Sequence, residues 1–129
     1  MSEECSDYVD NRIKLRDALR RGRINVKITK HALQRLMERR PKPLRKPSRR
    51  VLEDIIVHVL RDGEYRAFTD RIFVWTKKYL LVCQFDVYDR LVVKTVLNPK
   101  TIKSSLLKIM TRGINVKWHE ILVNGETGM

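Results

Sequence analysis

Apolar residues recur every three or four positions through the first half of the chain and alternate singly from residue 64 onward, so helices precede strands. Ile13, Leu15, Ala18 and Leu19 predict a short, weakly amphipathic helix over residues 11–21, with Gly22 as its stop. Arg20, Arg21 and Arg23 at its end complement the negative pole of the helix dipole. Residues 24–28, INVKI, alternate as a short strand. Thr29 is placed to cap a helix running to residue 40, with Ala32, Leu33, Leu36 and Met37 on its apolar face. Residues 41–47, PKPLRKP, contain three prolines that lack a backbone donor, which predicts a rigid basic loop. Ser48 then caps a third helix, in which Val51, Leu52, Ile55, Ile56, Val59 and Leu60 repeat at helical spacing until Asp62-Gly63.

Residues 65–69, 72–76, 79–86 and 90–97 read as four successive strands. Their short connectors predict an antiparallel meander. Asn98-Pro99 ends that run, residues 100–112 suggest a helix, and Val116–Val123 a final strand. The expected fold is α+β, with helices packed on one face of a twisted, mainly antiparallel sheet of about four to six strands. Residues 22–27, GRINVK, resemble residues 113–117, GINVK, so the two pieces are candidates to pair or to occupy related sheet edges. Residues 1–10 and 124–129 are expected to be flexible termini of a single basic domain over 1–129.

A chain of 129 residues, 43% hydrophobic with four prolines, can bury one real core but not two. No apolar run reaches the roughly 18–20 residues of a membrane span, and the start MSEECSDYVD does not resemble a secretory signal, so a cytoplasmic location without membrane contact is expected. Cys5 and Cys83 form no CxxC or Cys/His cluster, and His31, His58 and His119 are too scattered for a standard zinc spacing. Cys83, inside YLLVCQF, reads as a small buried hydrophobe. Neither a metal nor another cofactor is therefore expected.

Charge changes the picture more. Residues 12–50 hold sixteen Lys or Arg against Asp17 and Glu38, a local balance of +14 in a chain of +13. Such a field suits a polyanion, because Lys/Arg contacts to phosphates release counterions. Candidate nucleic-acid contacts are Arg20, Arg21, Arg23, Lys30, Lys42, Arg45, Lys46, Arg49 and Arg50. Stiffness in the proline loop would lower the entropy its basic groups lose on binding. Asn25 and Gln34 are candidates to meet base edges, although no finger, ribonucleoprotein or KH signature accompanies them.

The most specific constellation lies in the second predicted helix, ITKHALQRLMER. Spacings of i, i+4 and i+8 put His31, Arg35 and Arg39 on one stripe, away from Leu33 and Leu36. Histidine exchanges a proton near neutrality, whereas arginine stays charged and grips a phosphate. In RNA cleavage the 2′-hydroxyl loses a proton, the leaving 5′-oxygen gains one and the phosphorane needs positive stabilisation. His31 can serve as base or acid, with Arg35, Arg39 and Lys94 on the phosphate. A second proton carrier is to be sought among Tyr79, Tyr88, Asp86, Lys94 and His119. The structural alternative is that His31 bonds a neighbouring group while both arginines are solvated.

The motif HALQRLMER, with His31-Ala32, Arg35 and Glu38-Arg39, followed by an amphipathic helix and strands ending in VVKTVLNP, resembles the RelE/ParE-like toxin superfamily over about residues 26–99. It is closest to the domain family of unknown function that shares its compact architecture with BrnT-type toxins. The resemblance implies helices against an antiparallel sheet, cleavage of messenger RNA or inhibition of a topoisomerase, and an antitoxin that holds the protein inactive. The proline loop and the segment after Pro99 depart from a minimal member.

The leading expectation is a nucleic-acid-binding domain, RNA preferred, with metal-independent endoribonuclease activity. Two alternatives stand beside it: a non-enzymatic DNA- or RNA-binding regulator, and a structural or protein-interaction module with a basic surface. Expected partners are RNA or DNA through residues 12–50, and an antitoxin-like protein or a second copy through an edge strand.

Overall fold

The structure, a computed structural model, describes residues 9–39, 47–101 and 112–123. Most of the predicted proline loop, the helix expected over 100–112 apart from its ends, and nearly all of both termini lie outside the described residues.

Three helices follow the periodicity. Helix α1 (Asn11–Arg21) begins where the Asp10 side chain accepts from the Arg12 N–H and ends at Gly22, whose φ of 75° lies in the left-handed region. Gly22 donates to the Ala18 and Leu19 carbonyls, and a Cβ there would stand 2.5 Å from His119 Cδ2. Only glycine meets both demands. Strand β1 (Arg23–Ile28) leads through Thr29 into α2 (Lys30–Arg39). Helix α3 (Arg49–Asp62) starts where Ser48 Oγ accepts from the Val51 N–H at 3.3 Å. It ends where Gly63 donates to the Val59 carbonyl at 2.8 Å.

The strands are β2 (Glu64–Ala67), β3 (Ile72–Trp75), β4 (Leu80–Phe85), β5 (Arg90–Leu97), β6 (Ile114–Asn115) and β7 (Glu120–Val123), with a 3-10 turn at Pro99–Thr101. They form one sheet in the order β6-β2-β3-β4-β5-β1-β7. The meander β2 to β5 is antiparallel, as the short turns require.

Three expectations are corrected. The sheet is larger and mixed: β1 inserts between β5 and β7 and runs parallel to both, giving seven strands among the described residues. Alternation marks a strand but not its neighbour, and this insertion is settled by tertiary packing. The expected last strand is shorter, since Val116 to Trp118 is irregular and β7 starts at Glu120. The two INVK pieces do not pair: β1 sits between β5 and β7, while β6 joins β2 at the opposite edge.

Inward residues from all three helices and the strands form one core, including Leu15, Ala18, Val26, Leu36, Ile56, Leu60, Leu81 and Leu91. Each large side chain of this kind contributes roughly 1.5–3 kcal/mol. A smaller cluster of Phe73, Trp75 and Leu80 occupies the other face of β3 and β4, so every residue of β3 is buried. Cys83 lies in the main core without exposure, and burial pushes its thiol well above the ordinary range.

A buried amide links the first helix to the sheet. Asn11 Nδ2 donates to the Thr69 carbonyl at 2.9 Å, and Asn11 Oδ1 accepts from the Phe85 N–H at 2.7 Å. Both functions of its amide are thereby satisfied in a dry setting.

Candidate functional site

Thr29 positions the start of α2. Its Oγ1 accepts from the Ala32 N–H at 3.0 Å and donates to the Val93 carbonyl at 3.0 Å, while the Lys94 carbonyl lies 3.4 Å away. The Thr29 N–H also reaches the Val93 carbonyl, at 3.3 Å. One residue therefore caps the helix and fastens it to β5 beside Lys94.

Lys94 occupies a break in the ladder. Val82 pairs with Thr95 and Cys83 with Val93, so Lys94 is the extra residue of a β-bulge. The bulge shifts the alternation by one position, which lets both Val93 and Val96 point into the core while Lys94 remains exposed. Bulges re-aim side chains in this way.

Along α2, Arg35 Nε donates to His31 Nε2 at 3.4 Å, and Arg35 Nη1 donates to Glu38 Oε1 at 3.0 Å. Gln34 Nε2 reaches Glu38 Oε2 at 3.4 Å, so this amide is already engaged. The Arg35–Glu38 pair is 43% exposed on both sides, in the class worth about 0–1 kcal/mol. A phosphate can displace it. His31 is exposed at the positive pole of α2, next to the exposed Lys30, an arrangement that favours an anion. Arg39 lies eight residues further along, about 12 Å on an α-helix, so it suits a neighbouring phosphate rather than the one at His31.

The other candidate proton carriers do not join this group. His119 donates its N–H to the Gly22 carbonyl at 2.7 Å, at the beginning of β1, whereas α2 starts at its end. Six strand residues separate the two positions by roughly 20 Å. Asp86 and Tyr88 lie in the turn before β5, whose first residue, Arg90, is itself four residues or about 13 Å from Lys94. Tyr79 lines a groove of about 790 Å³ between α3 and the β3–β4 turn with Val51, Ile55, His58, Lys77 and Lys78, and none of the predicted catalytic residues enters it. His58 Nδ1 is 3.0 Å from Asp62 Oδ2 on the same helix.

The basic residues divide between two ends of β1. Arg20 and Arg21 are exposed at the end of α1, and Arg23 Nε is 3.9 Å from Glu120 Oε1. Lys30 begins α2 at the other end. Arg50 is exposed on α3, but Arg49 is half-buried with its Nε donating to Glu53 Oε2 at 3.2 Å, which makes it a poor phosphate contact. Lys42, Arg45 and Lys46 lie outside the described residues. No helix among the described residues is long and apolar enough to cross a membrane.

Two features escaped the sequence reading. The bulge is encoded in Val93-Lys94-Thr95-Val96, where core positions are three apart instead of two. The turn Asp86–Arg90 carries a second: Asp86 Oδ1 accepts from the Tyr88 N–H at 3.0 Å and the Arg90 N–H at 2.9 Å, and Asp86 Oδ2 from Arg90 Nε at 2.7 Å. Partial burial raises the Asp86 pKa, but these hydrogen bonds and the Arg90 charge outweigh it and leave the carboxyl below its usual range.

The chain matches no protein-family model, no curated protein and no solved structure.

Proposed function

We propose that this protein binds RNA through its basic surface and cleaves it without a metal, using His31 and Lys94. The observation that carries the reading is the double anchorage of Thr29, which fastens the His31-bearing helix start to the Lys94 bulge. Around it stand Lys30 and Arg35, the latter held to Glu38 by a weak exposed ion pair that phosphate can replace. In the proposed reaction His31 takes the 2′-hydroxyl proton as the 2′-oxygen bonds to phosphorus. The bond from phosphorus to the 5′-oxygen breaks, and the Lys94 ammonium gives that oxygen a proton. Arg35 balances charge on the phosphorane. The resemblance of HALQRLMER to RelE/ParE-like toxins agrees with this chemistry, and an antitoxin-like partner or a second copy would act by covering the site.

The Arg35–Glu38 contact favours one other reading, a nucleic-acid-binding regulator that does not cleave. Incubating RNA in EDTA with wild type, His31→Ala and Lys94→Ala separates the two. Cleavage by wild type that falls at least about 100-fold in His31→Ala supports the enzyme. Cleavage unchanged in both variants refutes the assigned centre. Salt-dependent binding with no cleavage selects the regulator.

A further inference from the structure

The outward face of β1 and β5 connects the two basic ends of the molecule. Burial alternates along β1, so that Ile24, Val26 and Ile28 enter the core while Arg23, Asn25 and Lys27 face outward. Beside them the first half of β5 sends Leu91 and Val93 inward and Arg90 and Val92 outward. The register pairs Asn25 with Arg90 and Lys27 with Val92, and on the far side Gln84 of β4 with Val92. Neighbouring strands are about 4.8 Å apart, so Gln84, Asn25 and Lys27 share a patch roughly 10 Å wide. All three helices contribute to the core on the opposite face, and among the described residues none lies over this one.

At one end of the patch stands Tyr88, 74% exposed, with the Arg90 guanidinium 5.3 Å from its ring centroid. The arrangement is held in advance. Asp86 grips the Tyr88 and Arg90 amides and the Arg90 side chain, and Asp89 at φ 62° closes the turn against Lys14 of α1. An exposed tyrosine backed by a fixed guanidinium is a stacking surface for a base. Two side-chain amides on the adjacent strands present donors and acceptors to base edges. The cations suit the backbone: Arg20, Arg21 and Arg23 at one end, Lys27 between and Lys94 at the other, along a strand of about 20 Å.

We infer that this sheet face is a track for single-stranded RNA, with a base stacked on Tyr88 and the backbone led along β1 toward the start of α2. The inference rests on the RNA-binding reading and names the form of substrate it takes. A duplex hides its bases from Tyr88, Asn25 and Gln84, whereas a single strand offers them. Arg90 serves to hold the tyrosine, because Asp86 already occupies its guanidinium. The Arg23–Glu120 pair is exposed on both sides and yields readily to phosphate.

Fluorescence anisotropy with a labelled oligouridylate and a blunt-ended RNA duplex of equal length tests this. Wild type is expected to bind the single strand at least about tenfold more tightly, and Tyr88→Ala to weaken that binding by roughly 5–100-fold while leaving the duplex unaffected. Lys27→Gln is expected to reduce the slope of log affinity against log salt by about 1. A Lys77→Gln, Lys78→Gln double variant, which removes more charge from the β3–β4 turn, is expected to change single-strand binding less than Tyr88→Ala does. Equal affinity for both probes, or a Tyr88→Ala variant indistinguishable from wild type, overturns the track while leaving RNA binding standing. Failure of wild type to bind either probe at low salt removes the underlying reading and the track with it.

Discussion

Replacing Thr29 with valine exchanges its hydroxyl for a methyl group at nearly the same volume. The Ala32 N–H then loses its cap acceptor at 3.0 Å, and the Val93 carbonyl loses a donor at 3.0 Å. Loss of an N-cap costs about 1–2 kcal/mol. The second hydrogen bond contributes about 0.5–1.5 kcal/mol, so a total of about 1.5–3.5 kcal/mol is expected. For a domain of this size that corresponds to a melting temperature lower by about 5–13 °C. Thr29→Ser retains both bonds and should lose under about 1 kcal/mol. Urea denaturation followed by circular dichroism measures the difference, with an unchanged slope showing that the unfolded state is unaffected. RNA cleavage, assayed where both variants are folded, should fall in Thr29→Val more than in Thr29→Ser. If valine and serine variants unfold at the same urea concentration as wild type, the double anchorage does not hold α2 in place, and the basis for coupling His31 to Lys94 is lost.

Asn11→Ala removes one bond and leaves the buried Phe85 N–H without its acceptor, an expected loss of about 2–4 kcal/mol in the same denaturation experiment; a loss below about 0.5 kcal/mol would contradict the clip. Gly22→Ala forces a left-handed residue and a Cβ contact of 2.5 Å with the His119 ring, so it should destabilise by at least about 1 kcal/mol, and thermal melting no lower than wild type would refute that account. The depressed Asp86 pKa favours the native state above the carboxyl's unfolded value, near pH 3.9, and that contribution is lost as pH falls through the lower folded value. Stability profiles across this acid range should therefore fall more steeply for wild type than for Asp86→Asn, whereas parallel profiles would show that Asp86 does not stabilise its turn.

The sequence disclosed what depends on local order. Helices α1 to α3, their caps at Thr29 and Ser48, the stop at Gly22 and the meander β2 to β5 are set by apolar spacing and turn residues. The His31–Arg35 adjacency follows from helical spacing alone. What stayed hidden depends on partners distant in sequence. Strand β1 lies parallel between β5 and β7, and no local pattern names those neighbours. Asn11 reads as an ordinary polar residue at a helix start until Thr69 and Phe85 surround it. Lys94 reads as an interruption of an apolar strand because a bulge is defined only against β4. His119 reads as a candidate proton carrier, yet its place just before β7 puts it at the far end of β1.

The central claim is that His31 and Lys94 cleave RNA by attack of the 2′-oxygen. End-group analysis of products formed in EDTA from 5′-labelled single-stranded RNA tests it most directly. Wild type is predicted to leave a 2′,3′-cyclic phosphate and a 5′-hydroxyl, and a folded His31→Ala variant to yield at least about 100-fold less of both. Products bearing a 3′-hydroxyl and a 5′-phosphate, or cyclic-phosphate products formed at the wild-type rate by His31→Ala, would contradict it.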